Sequence, residues 1–231
     1  MVEKVQTYVK GLDASMEGGI PKGHVILVVG QPGTMKSSLT FSILYNNAKH
    51  NDLSGVHVSL EQSRQSLLTN MKGLGMAVDA ELGSKLSVLD LGFIRKKMTQ
   101  LGNRSWLQIF KMYTKNLKSN MDYDILVIDS LPVVEVMSHF KEPREDLFHL
   151  FEWFRDLNVT TFLIHEMPQD TRKFGEYGED FLSDGILHLD LDREENIVKL
   201  YLSVVKMRQS DHKRGYFPLI FDKSGFEIIT D

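Results

Sequence analysis

The sequence contains no cysteine among its 231 residues, which excludes disulfides and thiolate metal sites. Long apolar runs are also missing. Runs such as Val25–Val29 are far shorter than the roughly 20 residues that a membrane-spanning helix needs. The first residues have neither the apolar core of a signal peptide nor an arginine-rich transit pattern. We therefore expect a cytoplasmic protein without a membrane span.

An excess of basic residues is missing too. The net charge is −4 and the isoelectric point is near 6.1, so nothing attracts the whole chain to nucleic acid, although a local basic patch remains open. A hydrophobic content of 42% and a charged content of 25% are ordinary for a globular protein. Repeats, low-complexity tracts and interdomain linkers are absent from the sequence. We expect a single domain that spans residues 1–231.

Short apolar segments alternate with helical patterns over the first two thirds of the chain. The predicted strands are Val25–Val29, Gly55–Leu60, Leu86–Leu91, Asp124–Asp129 and Thr160–His165. One helix is predicted directly after Gly33. The other predicted helical segments are Ser63–Leu74, a mixed region Phe93–Asn120, and Pro143–Leu157. This β-α-β order predicts an α/β fold with a parallel central sheet and helices on both faces.

The last 50 or so residues have a different pattern. Gly185–Asp192 and Ile197–Lys206 are predicted to be long strands joined by a charged turn. Tyr216–Phe221 and Phe226–Ile229 flank the sequence DKSG, which predicts a hairpin turn. Consecutive strands with such short connections pair antiparallel. The sequence therefore predicts a mostly parallel sheet that is extended by antiparallel C-terminal strands.

A glycine-rich segment, GQPGTMKSS, lies between the first predicted strand and the following helix. Its residues are Gly30, Gln31, Pro32, Gly33, Thr34, Met35, Lys36, Ser37 and Ser38. It nearly matches the phosphate-binding loop pattern G-x-x-x-x-G-K-[ST], with Met35 in place of the second glycine. In such a loop, backbone N–H groups surround phosphate oxygens, Lys36 contacts the β- and γ-phosphates, and Ser37 binds Mg²⁺. The alternative is a strand–helix turn without a ligand.

Two acidic residues follow other predicted strands. Asp129 ends the apolar segment ILVID, the Walker B form, where a carboxylate would lie beside Ser37 and hold Mg²⁺ through water. Many buried strands end in aspartate, so this motif alone is weak. Glu61 follows the segment GVHVSL, where it could orient and deprotonate an attacking water. A helix cap or a solvent-facing side chain is the alternative for Glu61.

Several longer stretches resemble the KaiC-like ATPases of the RecA/RadA superfamily, in particular their single-domain archaeal type. The supporting stretches are GLDASMEGGIPKGHVILVVGQPGTMKSS (Gly11–Ser38), VHVSLEQS (Val56–Ser63), DILVIDS (Asp124–Ser130), LSDGILHL (Leu182–Leu189) and VVKMRQSDH (Val204–His212). They occur in family order across nearly the whole chain. The first and last are more specific than any P-loop pattern.

The resemblance implies a RecA-like P-loop fold, ATP and Mg²⁺ as ligands, and a homo-hexamer with nucleotide at the subunit interfaces. By the same resemblance, Glu61 matches the first of two catalytic glutamates. Lys206 and Arg208 match basic residues that reach the γ-phosphate of a neighbouring subunit, where a cation stabilises developing charge. His212 is a further candidate for nucleotide contact. A solvated strand end is the alternative for all three.

Two residues depart from the family pattern. Met35 replaces glycine, and because it begins a helix we expect it to have helical dihedral angles, with its side chain turned away from phosphate. Gln62 replaces the second glutamate and leaves Glu61 as the one acid. We therefore expect intact nucleotide binding and slow turnover.

Three functions fit these observations. The first is an ATP-dependent switch or assembly ATPase. The second is a DNA-binding relative of the recombinases, against which the acidic balance and the absence of an aromatic–basic tract count. The third is an ATP-binding scaffold for a protein partner, such as an archaellum-type motor. Autophosphorylation fits poorly, since the matching C-terminal Ser/Thr segment is absent.

Two further segments remain open. His165 and Glu166 follow a central strand and are either a polar sensor near the γ-phosphate or an ordinary strand end. The polar segment Gln169–Asp180 is either a mobile loop near a central channel of the oligomer or a plain exposed connection.

Overall fold

The computed structural model describes residues 2–92, 106–167, 171, 173–194 and 197–230. The helices are α1 (Leu12–Ser15), α2 (Lys36–His50), α3 (Arg64–Gly73), α4 (Leu82–Lys85), α5 (Trp106–Met121), α6 (Leu131–Ser138), α7 (Pro143–Asp156) and α8 (Glu179–Leu182). The strands are β1 (Lys4–Val5), β2 (Ile20–Pro21), β3 (Val25–Gly30), β4 (Gly55–Ser59), β5 (Leu86–Asp90), β6 (Ile125–Asp129), β7 (Thr160–Glu166), β8 (Gly185–Glu194), β9 (Ile197–Met207), β10 (Phe217–Asp222) and β11 (Gly225–Ile228).

A nine-stranded sheet has the order β11-β10-β9-β8-β3-β7-β6-β4-β5. The pairs from β8 through β3, β7, β6 and β4 to β5 are parallel, and the pairs among β8, β9, β10 and β11 are antiparallel. Strand β3, which leads into the glycine-rich loop, lies at the centre. The predicted fold class, a RecA-like mixed sheet with antiparallel C-terminal strands, is confirmed.

The sheet is covered on both faces, as the apolar sequence of β3 predicts. Ile26 and Val28 face one core, which is completed by side chains of α2, α3 and α4. Leu27 and its neighbours on the other face pack against Phe110 of α5 and Phe154 of α7. Each fully buried side chain of this size stabilises the fold by about 1.5–3 kcal/mol. The two cores hold the carboxyl end of β3 rigidly in place.

Most predicted elements differ from the observed ones by one or two residues at their ends. The N-terminal pair β1–β2 and helix α6 were not predicted. Of the predicted helical region Phe93–Asn120, residues 106–120 lie in α5 and residues 93–105 lie outside the described part of the chain. Within the described residues, no helix is both long and apolar enough to cross a membrane.

Candidate nucleotide site

Four neighbouring parallel strands end at the same edge of the sheet. Gly30 at the end of β3 pairs with Glu166 of β7, and Asp129 at the end of β6 pairs with Ser59 of β4. Glu61 follows β4 by two residues. In open parallel sheets, ligands bind outside these carboxyl ends.

A cavity of about 160 Å³ lies at this edge, between the glycine-rich loop and the ends of β4, β6 and β7. Its lining includes Gly33, Lys36, Ser37, Glu61, Asp129 and Glu166. The structure thus brings together the central residues of the predicted site, contributed by four separate segments of the chain.

Close contacts at Gly30 and a side-chain hydrogen bond from Thr34 hold the glycine-rich loop in its conformation. At Gly30 any side chain would collide with the carbonyl oxygen of Leu189 in β8 and with Thr34 Oγ1, so only glycine fits. Thr34 Oγ1 donates to the carbonyl oxygen of Gln31 at 2.8 Å. Gly33 has a φ of +86°, which glycine adopts without steric cost.

Lys36 is the first residue of α2, and its side chain is turned back over the loop. Its Nζ donates to the carbonyl oxygens of Gly30 and Gln31, both at 2.9 Å. Burial lowers the pKa of Lys36, whereas the carboxylates of Glu166, Asp129 and Glu61 act in the opposite direction. A buried ammonium beside the N-terminus of a 15-residue helix suits a polyphosphate.

Met35 does not have the helical dihedral angles that we expected from the sequence. Its φ is +64° and its ψ is +23°, so the residue preceding α2 is left-handed. The expectation was wrong because Met35 is the N-cap of α2: its carbonyl oxygen accepts from the Leu39 N–H at 2.8 Å, but its own dihedral angles lie outside the helix. A left-handed conformation costs a non-glycine residue about 1–2 kcal/mol. The Met35 side chain offsets part of this cost by packing against the core beside α2.

We expect Met35→Gly to be about 1 kcal/mol more stable than Met35→Ala. Both variants remove the side-chain packing, but only glycine accepts the left-handed backbone freely. Urea unfolding of the nucleotide-free protein measures the difference. Ser38, inside α2, is the matched control. Ser38→Ala should be about 1 kcal/mol more stable than Ser38→Gly, because glycine is unfavourable inside a helix. An alanine variant at position 35 equal to or more stable than glycine would contradict the left-handed conformation.

Asp129 lies between the loop and β4. Burial acts to raise the pKa of Asp129, but His57, the Ser37 hydroxyl and Lys36 outweigh it, and the pKa lies below its usual value. His57 Nε2 is 3.6 Å from Asp129 Oδ2, too far for a hydrogen bond. A carboxylate and a serine hydroxyl are oxygen ligands of the kind that Mg²⁺ prefers, so this pair could hold that ion.

Glu61 is held in place by the residue that follows Asp129. The Ser130 hydroxyl donates to Glu61 Oε1 at 3.0 Å. Gln62 faces the same cavity, and its backbone is tied to the end of β4, since Ser59 Oγ donates to the Gln62 carbonyl oxygen at 2.7 Å. The lining of the cavity in front of Lys36 therefore includes the oriented carboxylate of Glu61, while the Gln62 side chain accepts from Asn70 Nδ2 at 3.4 Å.

Lys206 and Arg208 lie at the end of the sheet opposite to the carboxyl ends of the parallel strands. Met207 pairs with Gly185, which pairs with Ile26 near the start of β3. Four residue steps along β3 therefore separate Met207 from the level of Gly30, a distance of about 13 Å at the usual strand rise, and β8 lies between β3 and β9. Within one subunit these two residues do not reach the glycine-rich loop.

Both basic side chains contact the segment around α8. Lys206 Nζ donates to the carbonyl oxygens of Asp180 at 2.9 Å and Ser183 at 2.6 Å. Arg208 Nη1 pairs with Asp184 Oδ1 at 2.9 Å while half of its side chain remains exposed. They are thus anchored by their own subunit rather than fully solvated.

His212 is also remote from the loop. It lines a separate cavity of about 420 Å³ together with Ser15 and Glu17. Both of its ring nitrogens are buried and have no hydrogen-bond partner within the described part of the chain.

Alternation along β7 separates the two strand-end residues His165 and Glu166. Glu166 lines the 160 Å³ cavity, and His165 turns toward Glu135 and Glu179 beside a larger cavity. Of the segment Gln169–Asp180, residues 169, 170 and 172 lie outside the described residues, but Glu179 begins α8 and is fully buried. Glu179 is therefore not part of an exposed connection, whereas Lys173, Glu176 and Tyr177 of the same segment are exposed.

Sequence reasoning missed His57, Glu135 and Glu179. His57 is a polar residue inside an otherwise apolar strand, which was an available signal. Glu135 and Glu179 lie in segments for which the sequence predicts no helix, and only the fold brings them together.

Comparisons with known proteins agree with this architecture. A family model described as "ATPase: KaiC" matches residues 5–231. The circadian clock oscillator protein KaiC of Picosynechococcus sp. is 26% identical over 232 residues, which cover 99% of this chain and 45% of that protein. A UPF0273 protein of Sulfurisphaera tokodaii is 29% identical over 245 residues, which cover 100% of this chain and 83% of that protein.

A solved structure is similar over its full length. The crystal structure of a KaiC-like protein from Pyrococcus horikoshii has a TM-score of 0.84 at 26% identity, with 100% of both chains covered. The present chain spans less than half the length of the cyanobacterial relative.

Proposed function

Because this chain belongs to the KaiC family of ATPases, we propose that it binds MgATP at the glycine-rich loop, hydrolyses it slowly, and works as a nucleotide-dependent oligomeric switch. One observation carries the proposal: Lys36, Ser37, Glu61 and Asp129 converge on a single cavity at the carboxyl edge of the sheet. A cation, two Mg²⁺-type oxygen ligands and a free carboxylate are what triphosphate hydrolysis requires.

The position of each residue in the cavity suggests its role in the reaction. Lys36 and the N-terminus of α2 hold the phosphates, after Lys36 exchanges its contacts with loop carbonyls for phosphate oxygens. Ser37 and Asp129 hold Mg²⁺, which when bound offsets charge on the phosphate oxygens. Glu61, oriented by Ser130, positions a water molecule and accepts its proton.

We expect slow turnover because of Gln62. Gln62 lines the cavity in place of a second carboxylate, its amide oxygen accepts from Asn70 Nδ2 at 3.4 Å, and a neutral amide cannot take a proton from water. Positioning of water then depends on Glu61 alone.

The positions of Lys206 and Arg208 support an oligomer. Their location at the edge opposite the loop supports a role toward the nucleotide of a neighbouring subunit, since they do not reach their own. A homo-hexamer with nucleotide between subunits would use them in this way. Light scattering with and without MgATP tests it, and a monomer under both conditions would remove the role.

Calorimetry tests nucleotide binding directly. We expect wild-type protein to bind MgATP, and Lys36→Ala to bind about 10- to 100-fold more weakly, because it loses a charge-assisted contact. Lys49→Ala, an exposed lysine at the far end of α2, is the matched control and should bind like wild type. Absence of binding by wild type at millimolar MgATP would overturn the proposal.

A further inference from the structure

A second cluster of ionisable side chains lies next to the nucleotide site. It consists of Glu135 on α6, His165 near the end of β7, and Glu179 at the start of α8. One imidazole nitrogen and one oxygen from each carboxylate lie within 4.8 Å of one another. These residues come from three elements that are distant in sequence, so helical spacing does not explain their proximity.

Each of the two carboxylates has one buried oxygen without a hydrogen-bond partner among the described residues. Glu179 is 0% exposed; its Oε2 accepts from the Tyr177 backbone N–H at 2.9 Å, but its Oε1 has no hydrogen-bond partner within the described part of the chain. Glu135 Oε1 is also buried and has no hydrogen-bond partner within the described residues. Buried acceptors without partners are rare and costly, so each calls for a physical explanation.

The histidine has the orientation of a metal ligand. His165 Nδ1 lies 2.7 Å from the Glu166 carbonyl oxygen, an acceptor, so Nδ1 carries the proton of that hydrogen bond. In the neutral ring this leaves a lone pair on Nε2, which lies 3.7 Å from Glu179 Oε1. Metal-binding histidines typically donate their other ring N–H to a backbone carbonyl in this way.

The cluster is also accessible. A cavity of about 980 Å³ is lined by Glu135 and His165, and it shares Pro32 and Glu166 with the nucleotide cavity. An ion can enter from this side, and water can complete its coordination.

We propose that Glu135, His165 and Glu179 bind a divalent transition-metal ion of the Zn²⁺ or Co²⁺ type. One imidazole and two carboxylates match the ligands of such ions, whereas Mg²⁺ and Ca²⁺ prefer oxygen ligands alone. The ion would be distinct from the Mg²⁺ beside Ser37, and its binding does not depend on nucleotide.

Cobalt titration of the nucleotide-free, chelator-treated protein tests the proposal, with visible absorption and calorimetry as readouts. Wild type should take up one equivalent of Co²⁺. Glu135→Gln, a half-buried position that tolerates an amide, should bind about tenfold more weakly or worse, and His165→Gln should lose the absorption bands. Glu145→Gln is the matched control, since Glu145 lies 3.9 Å from the exposed His149 and should leave uptake unchanged.

Three results would overturn the proposal. The first is the absence of stoichiometric Co²⁺ uptake, and the second is uptake by Glu135→Gln equal to that of wild type; in either case the cluster is a protonated histidine held between two carboxylates. The third is uptake that is abolished by Asp129→Asn and kept by the cluster variants, which would assign the ion to the nucleotide site. Circular dichroism melting of each variant separates loss of binding from loss of folding.

Discussion

Replacement of Glu61 by glutamine is expected to lower ATP turnover by about 10²- to 10⁴-fold while MgATP affinity stays close to that of wild type. The variant keeps the shape of the side chain and can still accept from the Ser130 hydroxyl, which lies 3.0 Å from Glu61 Oε1. It loses the ability to take a proton from water. Phosphate release under single-turnover conditions, with calorimetry alongside, measures both quantities.

Two further variants make the Glu61 experiment specific. Glu81→Gln changes an exposed carboxylate beside α4 and should leave turnover unchanged. Gln62→Glu supplies the second carboxylate in the cavity and should raise turnover. If Glu61→Gln hydrolyses ATP as fast as wild type, Glu61 is not the base, and the neighbouring Glu166 becomes the candidate to test.

Replacement of Asp184 by asparagine is expected to destabilise the fold by about 2–3 kcal/mol, which lowers the melting temperature by roughly 5–10 °C. Asp184 is 8% exposed and ties three elements together. It accepts from the Val25 backbone N–H at 3.0 Å, and its Oδ1 pairs with Arg155 at 3.2 Å and Arg208 at 2.9 Å. The partial exposure of both arginines keeps the effect below that of a fully buried pair.

The same carboxylate predicts a particular acid dependence. Burial acts to raise the pKa of Asp184, but Val25 N–H, Arg155 and Arg208 outweigh it and hold the pKa below its usual value. A lowered folded-state pKa means that the stabilisation is present above the unfolded pKa of about 3.9 and is lost as the pH falls through the folded value.

Urea unfolding between pH 3 and pH 7 checks both expectations. Asp184→Asn should lose stability at neutral pH and show a weaker loss than wild type on acidification below about pH 4. Asp156→Asn, an exposed aspartate at the end of α7, should behave like wild type at every pH. An Asp184→Asn variant with wild-type stability at neutral pH would contradict the ion-pair account.

Much of the geometry of the candidate nucleotide site could be predicted from the sequence because its parts are local. The apolar strand before Gly30, the loop, and the helix from Lys36 are contiguous, and the carboxyl-end positions of Asp129 and Glu61 follow from parallel strands. The dihedral angles of Met35 could not be predicted in this way. They depend on how the loop must turn to place α2 against the sheet, and a methionine gives no sign of a left-handed backbone.

The sequence by itself determined the mixed α/β fold, the family and the segments that form the loop, because strand and helix periodicity and a glycine-rich turn depend on near neighbours. Only the tertiary structure decided which distant residues meet. It placed Lys206 and Arg208 at the edge opposite the loop through the register of β8 and β9, and it gathered Glu135, His165 and Glu179 from three elements. Such contacts depend on strand order and packing between segments far apart in the chain, which local patterns do not encode.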